Sequence, residues 1–144
     1  MIGDPAVVER LLRTPAVWAV AGLSQDRSRD AFSIAALLQR IGMQIVPIHP
    51  RAEEVHGARG WARLADLPDG ARVDVVDCFV NSTRVGAVVD DAIAERDRLG
   101  IHAIWMQLGV VDEAAAERAH AAGLAVVMDA CPAIEAPRLG IRTR

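Results

Sequence analysis

Five apolar runs alternate with segments of helical period along this chain of 144 residues, and this alternation constrains the fold most. The runs are nearly continuous and of strand length, which is typical of strands covered on both faces of a parallel sheet. Between them, apolar residues such as Ile34, Leu38 and Ile41 recur at helical spacing. The pattern predicts one doubly wound α/β domain over residues 1–144. Its mostly parallel sheet of five or more strands would contain residues 16–22, 44–48, 73–79, 102–107 and 124–128.

Capping signals predict where several helices begin. Asp4 followed by Pro5 predicts the cap and first turn of an opening helix, and Asp112 predicts the cap of an alanine-rich helix. After the third strand, Asn81, Ser82 and Thr83 are all residue types that cap helices, so we expect a cap among them. Pro47, inside the second strand, predicts weakened pairing on one side or a bulge.

Charge and hydropathy exclude several classes of partner. The formal net charge is −3 and no block of basic residues occurs, so nucleic acid is not expected as a partner. No apolar run approaches the roughly 18 residues of a membrane span, and the amino-terminal stretch carries acidic residues where a signal peptide has basic ones. We therefore expect a cytoplasmic protein without a membrane partner.

Two cysteines and four histidines set limits on metal and nucleophile chemistry. Two cysteines are too few for a disulfide framework, and no histidine lies at ligand spacing from another, so no metal site is predicted. Cys131 follows the last strand, but Asp129 and Glu135 beside it disfavour an activated thiolate. His49 and His102 have no catalytic partner placed by sequence. We therefore predict no enzyme activity and no catalytic residue.

The loop after the first strand has a nucleotide-binding position but only one of the glycines of the dinucleotide fingerprint, Gly22. Ser24, Ser28 and Arg29 stand ahead of a helical segment, where hydroxyl, backbone N–H and guanidinium groups could bind phosphate together. An ordinary surface loop whose polar residues cap the helix remains the alternative.

The end of the second strand bears on which nucleotide is bound. NAD sites usually place Asp or Glu there to bind the ribose hydroxyls, whereas this chain has His49, Pro50 and Arg51. Neutral or cationic groups favour a ribose that carries a phosphate, as in coenzyme A (CoA) or NADP.

Three segments carry a resemblance to a known family: "VAGLSQDRSRDAFSIAALLQRIGMQIVPIHPRAEEVHG", "VDVVDCF" and "IWMQLGVVDEAAAERAHAAGLAVVMDACPAIE". Together they resemble the small stand-alone CoA-binding proteins, whose domain is similar to the CoA-binding half of the succinyl-CoA synthetase α subunit. The resemblance implies a Rossmann-like domain that binds CoA, with the pyrophosphate over Gly22 to Arg29 and the nucleoside toward His49 and Pro50. With the strand ends, it predicts cofactor contacts at Gly22, Leu23, Ser24, Ser28, Arg29, His49, Pro50, Arg51, Phe79, Gln107 and Cys131.

The chain also departs from the pattern of that family. Val80, Ala130 and Ala133 stand at positions where cations are common in the family. The leading interpretation is a non-catalytic module that binds CoA or an acyl-CoA. An NADP- or NAD-binding oxidoreductase-like domain and a degenerate, ligand-free interaction protein remain as alternatives. A homo-oligomer or another protein partner is left open.

Overall fold

The computed structural model describes residues 3–143, in which helices and strands alternate. The strands are β1 (Val17–Ala21), β2 (Gln44–Ile48), β3 (Val75–Cys78), β4 (Ala103–Gln107) and β5 (Ala125–Ala130). The helices are α1 (Pro5–Arg13), α2 (Asp30–Arg40), α3 (Val85–Leu99), α4 (Glu113–Ala121) and α5 (Pro132–Arg138), with a 3₁₀ turn at Leu64–Asp66.

The five strands form one parallel sheet in the order β2-β1-β3-β4-β5, which confirms the predicted sheet. The chain leaves β1 toward β2 on one side and returns to β3 on the other. The strand order therefore reverses between β1 and β3, and a crevice opens at their carboxyl ends. Open α/β sheets bind ligands in such crevices.

Helices cover both faces of the sheet and form two cores. One core joins the sheet to α1, α2 and α5, with Leu12 and Leu38 fully buried beside Trp18 and Trp105. The ring centroids of these two tryptophans lie 5.5 Å apart. The other core joins the sheet to α3 and α4 through small and β-branched side chains. Covering on both faces explains why the strands are apolar throughout instead of alternating.

Pro47 lies on the edge strand β2. Proline has no backbone N–H to donate, so it is tolerated there but not in an inner strand. On the inner side of β2 the ladder pairs with β1, and on the outer side Trp61 N donates to Pro47 O at 2.9 Å. His49 N donates to Trp61 O at 3.0 Å and completes a short parallel bridge. The N–H that proline lacks would have pointed outward, so the ladder to β1 is intact.

Two predicted caps are confirmed and one is wrong. Asp4 Oδ1 accepts a hydrogen bond from Ala6 N at 2.9 Å, and Asp112 Oδ1 accepts one from Ala115 N at 3.0 Å. α3 begins only at Val85, and its N-cap residue, Arg84, makes no capping hydrogen bond with its side chain. Asn81 Oδ1 instead accepts from Thr83 N at 3.1 Å, and its carbonyl oxygen accepts from Val85 N at 3.1 Å, so Asn81 stabilises the turn just before the helix.

A bulge carries β5 two residues further than predicted. Trp105 pairs with Val127 but Gln107 pairs with Ala130, so one extra residue is inserted in β5. Asp129 adopts φ +59° there, and its Oδ1 accepts from Gly109 N at 2.7 Å. The bulge ties the end of β5 to the loop that follows β4.

Candidate functional site

A cleft of about 790 Å³ lies over the carboxyl ends of β1, β2 and β3, at the switch point of the sheet. Ala21, Gly22 and Val76 line its base, and Ile48 and Phe79 flank them. Three loops therefore meet there, although they are far apart along the chain. The position is the one that the doubly wound topology predicts for a ligand.

Gly22 allows the first loop to pass close to β3. Its N–H donates to Ile48 O at 2.8 Å, and the neighbouring Phe79 N donates to Ala21 O at 2.9 Å. Gly22 has φ +93°, and a Cβ placed on it would lie 2.5 Å from Phe79 O. The backbone conformation and the close approach both require glycine at this position.

The polar residues of this loop divide into two groups. Ser24 and Arg29 line the cleft. Ser28 is not part of the lining within residues 3–143, and its N–H and hydroxyl both donate to Asp26 Oδ1, at 3.0 and 2.6 Å. These two hydrogen bonds hold the pKa of the Asp26 carboxyl below its usual value. Leu23 is fully buried in the core beneath α2, so it shapes the loop from below.

Arginines dominate the charge of the cleft. Arg29, Arg51, Arg63 and Arg84 line it together with Asp26 and Asp91. Arg51 Nε lies 3.2 Å from Glu53 Oε1, and Arg63 lies 3.5 Å from Asp66. Within residues 3–143, Arg29 and Arg84 form no ion pair. Their guanidinium groups are free to bind an anion.

His49 and Pro50 line the cleft at the end of β2. Burial, with Arg51 nearby, lowers the pKa of His49, so its imidazole is neutral at pH 7. Its Nδ1 accepts from Arg51 N at 3.2 Å, which assigns the proton to Nε2. Glu53 accepts from Gln25 N at 3.2 Å as well as from Arg51, so this carboxylate is already engaged.

A second cavity of about 430 Å³ lies next to the cleft, over the ends of β3, β4 and β5. The two share Arg29, Phe79, Val80 and Asn81 along their common border. Gln107 and Cys131 line the second cavity and not the cleft. Apart from Leu23 and Ser28, the predicted contact residues therefore line a continuous path that runs from β2 to β5.

Behind Gln107 lies Asp77, a carboxyl in the centre of the sheet. Asp77 is fully buried, and burial raises its pKa to about 8. Gln107 Nε2 donates to Asp77 Oδ1 at 2.5 Å. This hydrogen bond joins two neighbouring strands beneath the second cavity.

Sequence reasoning missed three residues of this region. Arg84 stands just beyond the third strand, but its place in the cleft depends on where α3 begins. Arg63 lies in an irregular segment, where no periodic pattern of apolar residues predicts the position of a side chain. Asp77 had a signal, since Asp74 and Asp77 are the two acids in the apolar run predicted as the third strand, and only Asp77 falls within β3. His102, by contrast, precedes β4 and therefore lies at the amino ends of the strands, opposite the cleft. Its Nε2 is 3.5 Å from Asp74 Oδ1.

Neither a cluster of metal ligands nor a membrane-spanning helix occurs in the described part of the chain. Among residues 3–143, no group of three or more His, Cys, Asp or Glu side chains could hold a metal ion. No helix in the same range is both long enough and apolar enough to cross a membrane.

Comparison with known proteins decides the family. The family model described as a CoA binding domain matches residues 16–137. The chain belongs to this CoA-binding family. A Bacillus subtilis (strain 168) relative, the uncharacterized protein YneT, is 29% identical over 126 residues, which cover 88% of this chain and 89% of that protein.

Solved structures of similar proteins share the fold of this CoA-binding domain. A hypothetical protein from Pyrococcus horikoshii OT3 superposes with a TM-score of 0.83 at 29% identity, over 94% of this chain and 92% of that one. The dinucleotide forming acetyl-coenzyme A synthetase 1 of Ca. Korarchaeum cryptofilum, solved with phosphate and ADP, has a TM-score of 0.69 at 28% identity. The match covers 85% of this chain and 27% of that enzyme.

Proposed function

We propose that this protein binds CoA or an acyl-CoA as a non-catalytic module, with the pyrophosphate over the loop from Gly22 to Arg29. The observation that carries the proposal is the position of Arg29, which forms no ion pair within the described residues and stands at the border of the cleft and the second cavity. No side chain caps α2, so N–H groups of its first turn are available to the same anion. Family membership and the named synthetase support CoA as the ligand.

The cations of the cleft fit the three phosphate groups of CoA. Arg29 would hold the pyrophosphate, while His49 and Pro50 would contact the nucleoside. Arg51 would bind the 3′-phosphate through the Nη N–H groups that Glu53 leaves free, because the donors of a planar guanidinium can bind two anions at once. Arg63 and Arg84, on the far side of the cleft, add positive charge that compensates for Val80, Ala130 and Ala133.

Binding without catalysis agrees with the placement of the nucleophile and base candidates. Cys131 lines the second cavity, whereas His49 lies in the cleft and His102 at the opposite edge of the sheet. Asp129 is engaged by Gly109 N. Both cysteines are free thiols, which fits a reducing compartment, and we place the protein in the cytoplasm.

Thermal shift with CoA and with NAD tests the ligand. A ligand at a hundredfold excess over its Kd stabilises the native state by about 2.7 kcal/mol. For a chain of this size that corresponds to a rise in Tm of roughly 5 to 10 °C. We expect this rise with CoA and a smaller one with NAD at equal concentration. An equal or larger rise with NAD would favour the oxidoreductase-like alternative, and no rise with either would favour a ligand-free protein.

Isothermal titration of arginine variants tests the placement of the phosphates. Arg29→Ala removes a charge-assisted hydrogen bond of about 1.5 to 3 kcal/mol, so we expect CoA and dephospho-CoA to bind at least tenfold more weakly. Arg51→Ala should instead abolish the preference for CoA over dephospho-CoA. Arg40→Ala, at the other end of α2, is the matched control and should change neither affinity. Unchanged affinities in Arg29→Ala would show that the loop does not hold the pyrophosphate.

A further inference from the structure

Gln107 lines the second cavity, and Asp77 lies behind it as its hydrogen-bond partner. Gln107 is 4% exposed, and its Nε2 donates to Asp77 Oδ1 at 2.5 Å. Among residues 3–143, Asp77 Oδ2 is buried without a hydrogen-bond partner, so within this range Gln107 alone holds the carboxyl. With its pKa raised to about 8 by burial, Asp77 is mostly neutral at pH 7, and its carbonyl oxygen can accept the bond.

This pairing determines which end of the Gln107 carboxamide is available to a ligand. With Nε2 turned toward Asp77, Oε1 is left without a hydrogen-bond donor in residues 3–143. Only Trp18 Nε1 and Asp77 Oδ2 are both enclosed and unpartnered in that range, so Oε1 is not enclosed by protein. Since Gln107 lines the second cavity and its Nε2 is engaged by Asp77, Oε1 is the end of the carboxamide that can serve a ligand there.

The rest of the cavity determines what kind of group can reach that acceptor. Ile34, Phe79, Leu108 and Val110 give it apolar walls. Arg29, Asp30 and Asn81 add polar groups, and Arg29 and Asn81 stand where the cavity meets the cleft. A flexible arm of a ligand that enters the second cavity from the cleft would therefore pass a polar border and then run along apolar side chains. Buried polar groups require partners, so an N–H donor on that arm is the complement of Oε1.

We propose that the second cavity binds a secondary amide on a flexible arm, that Gln107 Oε1 accepts its N–H, and that Asp77 is the positioning residue that orients Gln107. The inference rests on the proposed function, in which the arm is the pantetheine of CoA. Because the cavity lies beyond Arg29 on the path from the phosphates, the amide is the one nearest the thiol. Gln107 thereby distinguishes CoA from nucleotides that carry the same phosphates.

The test compares CoA with adenosine 3′-phosphate 5′-diphosphate, which has the same phosphates but no pantetheine. We expect the wild type to bind CoA at least tenfold more tightly than this truncated ligand. Gln107→Leu removes the acceptor, so the ratio of the two affinities should fall by about tenfold while the truncated ligand binds as before. Gln107→Glu retains an acceptor and can share the proton of Asp77, so it should keep most of the ratio.

A second pair of variants tests the positioning by Asp77. Asp77→Asn retains a carbonyl that accepts from Gln107 Nε2, whereas Asp77→Leu lets the carboxamide turn. We expect Asp77→Asn to preserve the ratio of affinities and Asp77→Leu to lower it about fivefold, with unchanged affinity for the truncated ligand. If the ratio of the two affinities falls in neither variant, the positioning role of Asp77 is overturned.

A ligand analogue tests the same hydrogen bond in the wild-type protein, so this test does not require that any variant fold. A CoA analogue with an ester oxygen in place of the N–H of the thiol-proximal amide should bind about tenfold more weakly than CoA. Equal binding of this analogue and CoA, or of the truncated ligand and CoA, would overturn the inference and leave the proposed function standing. If neither CoA nor the truncated ligand binds the wild type, the proposed function fails and the inference with it.

Discussion

Gly22→Ala is expected to destabilise the protein by about 3 kcal/mol or more, since strained backbone and steric conflict add at this position. Alanine is disfavoured at φ +93°, and its Cβ would lie 2.5 Å from Phe79 O. The obstructing atom belongs to the backbone just past β3, which is itself held by Phe79 N donating to Ala21 O. Neither the loop at Gly22 nor the backbone at Phe79 can move apart without breaking hydrogen bonds at the end of the sheet. Thermal unfolding should show a fall in Tm of roughly 6 to 12 °C.

Gly123→Ala is the matched control for this experiment. Gly123 has φ +88°, but a Cβ placed there meets no atom within 4 Å. The control therefore measures the backbone conformation alone, which we expect to contribute about 1 kcal/mol. The difference between the two variants gives the contribution of the close approach to Phe79. Equal destabilisation would mean that the loop relaxes freely, contrary to the geometry of the site.

The second large effect expected is a decrease in stability with rising pH that depends on Asp77. Its pKa is about 8 in the folded protein against an ordinary value of 3.8, so between these values the folded state holds a proton that the unfolded chain releases. Stability due to this group is therefore full below about pH 4 and is lost as pH rises toward 8. Within the window the slope is about 1.4 kcal/mol per pH unit.

Asp77→Asn removes this titration and keeps the size of the side chain. We expect its free energy of unfolding to be flatter between pH 5 and pH 8, so that the variant gains about 4 kcal/mol relative to the wild type over that range. Urea unfolding at pH 5, 6, 7 and 8 measures the difference. Asp90→Asn, at an exposed ion pair with Arg118, is the control and should follow the wild type. Parallel curves for wild type and Asp77→Asn would show that Asp77 is ionised in the folded protein.

Much of the fold follows from local pattern, since each strand and most helix ends are encoded by neighbouring residues. The apolar runs predicted the five strands, and Asp4 and Asp112 predicted their caps. The errors arose where local and distant interactions compete. Asn81 bonds to Thr83 instead of capping α3, and the bulge at Asp129 depends on Gly109, which belongs to another loop.

The candidate site was predictable only in outline, for a related reason. Parallel strands bring their carboxyl ends to one edge, so sequence alone indicated that Gly22, Arg29, His49 and Gln107 lie at the same edge. The resemblance and the family model then agree on CoA. Which side chains line the cleft was not encoded locally. Ser28 turns to Asp26, and Leu23 enters the core.

By itself, the sequence determined the strand–helix alternation and the parallel sheet, because each depends on conformational preferences within a few residues. Only the tertiary structure decided the strand order, the entry of Arg63 and Arg84 into the cleft and the burial of Asp77 beneath Gln107. These features depend on contacts between residues far apart in the chain. Burial and hydrogen bonding also set the pKa of Asp77 and the direction of the Gln107 carboxamide, and both exist only once the strands are packed side by side.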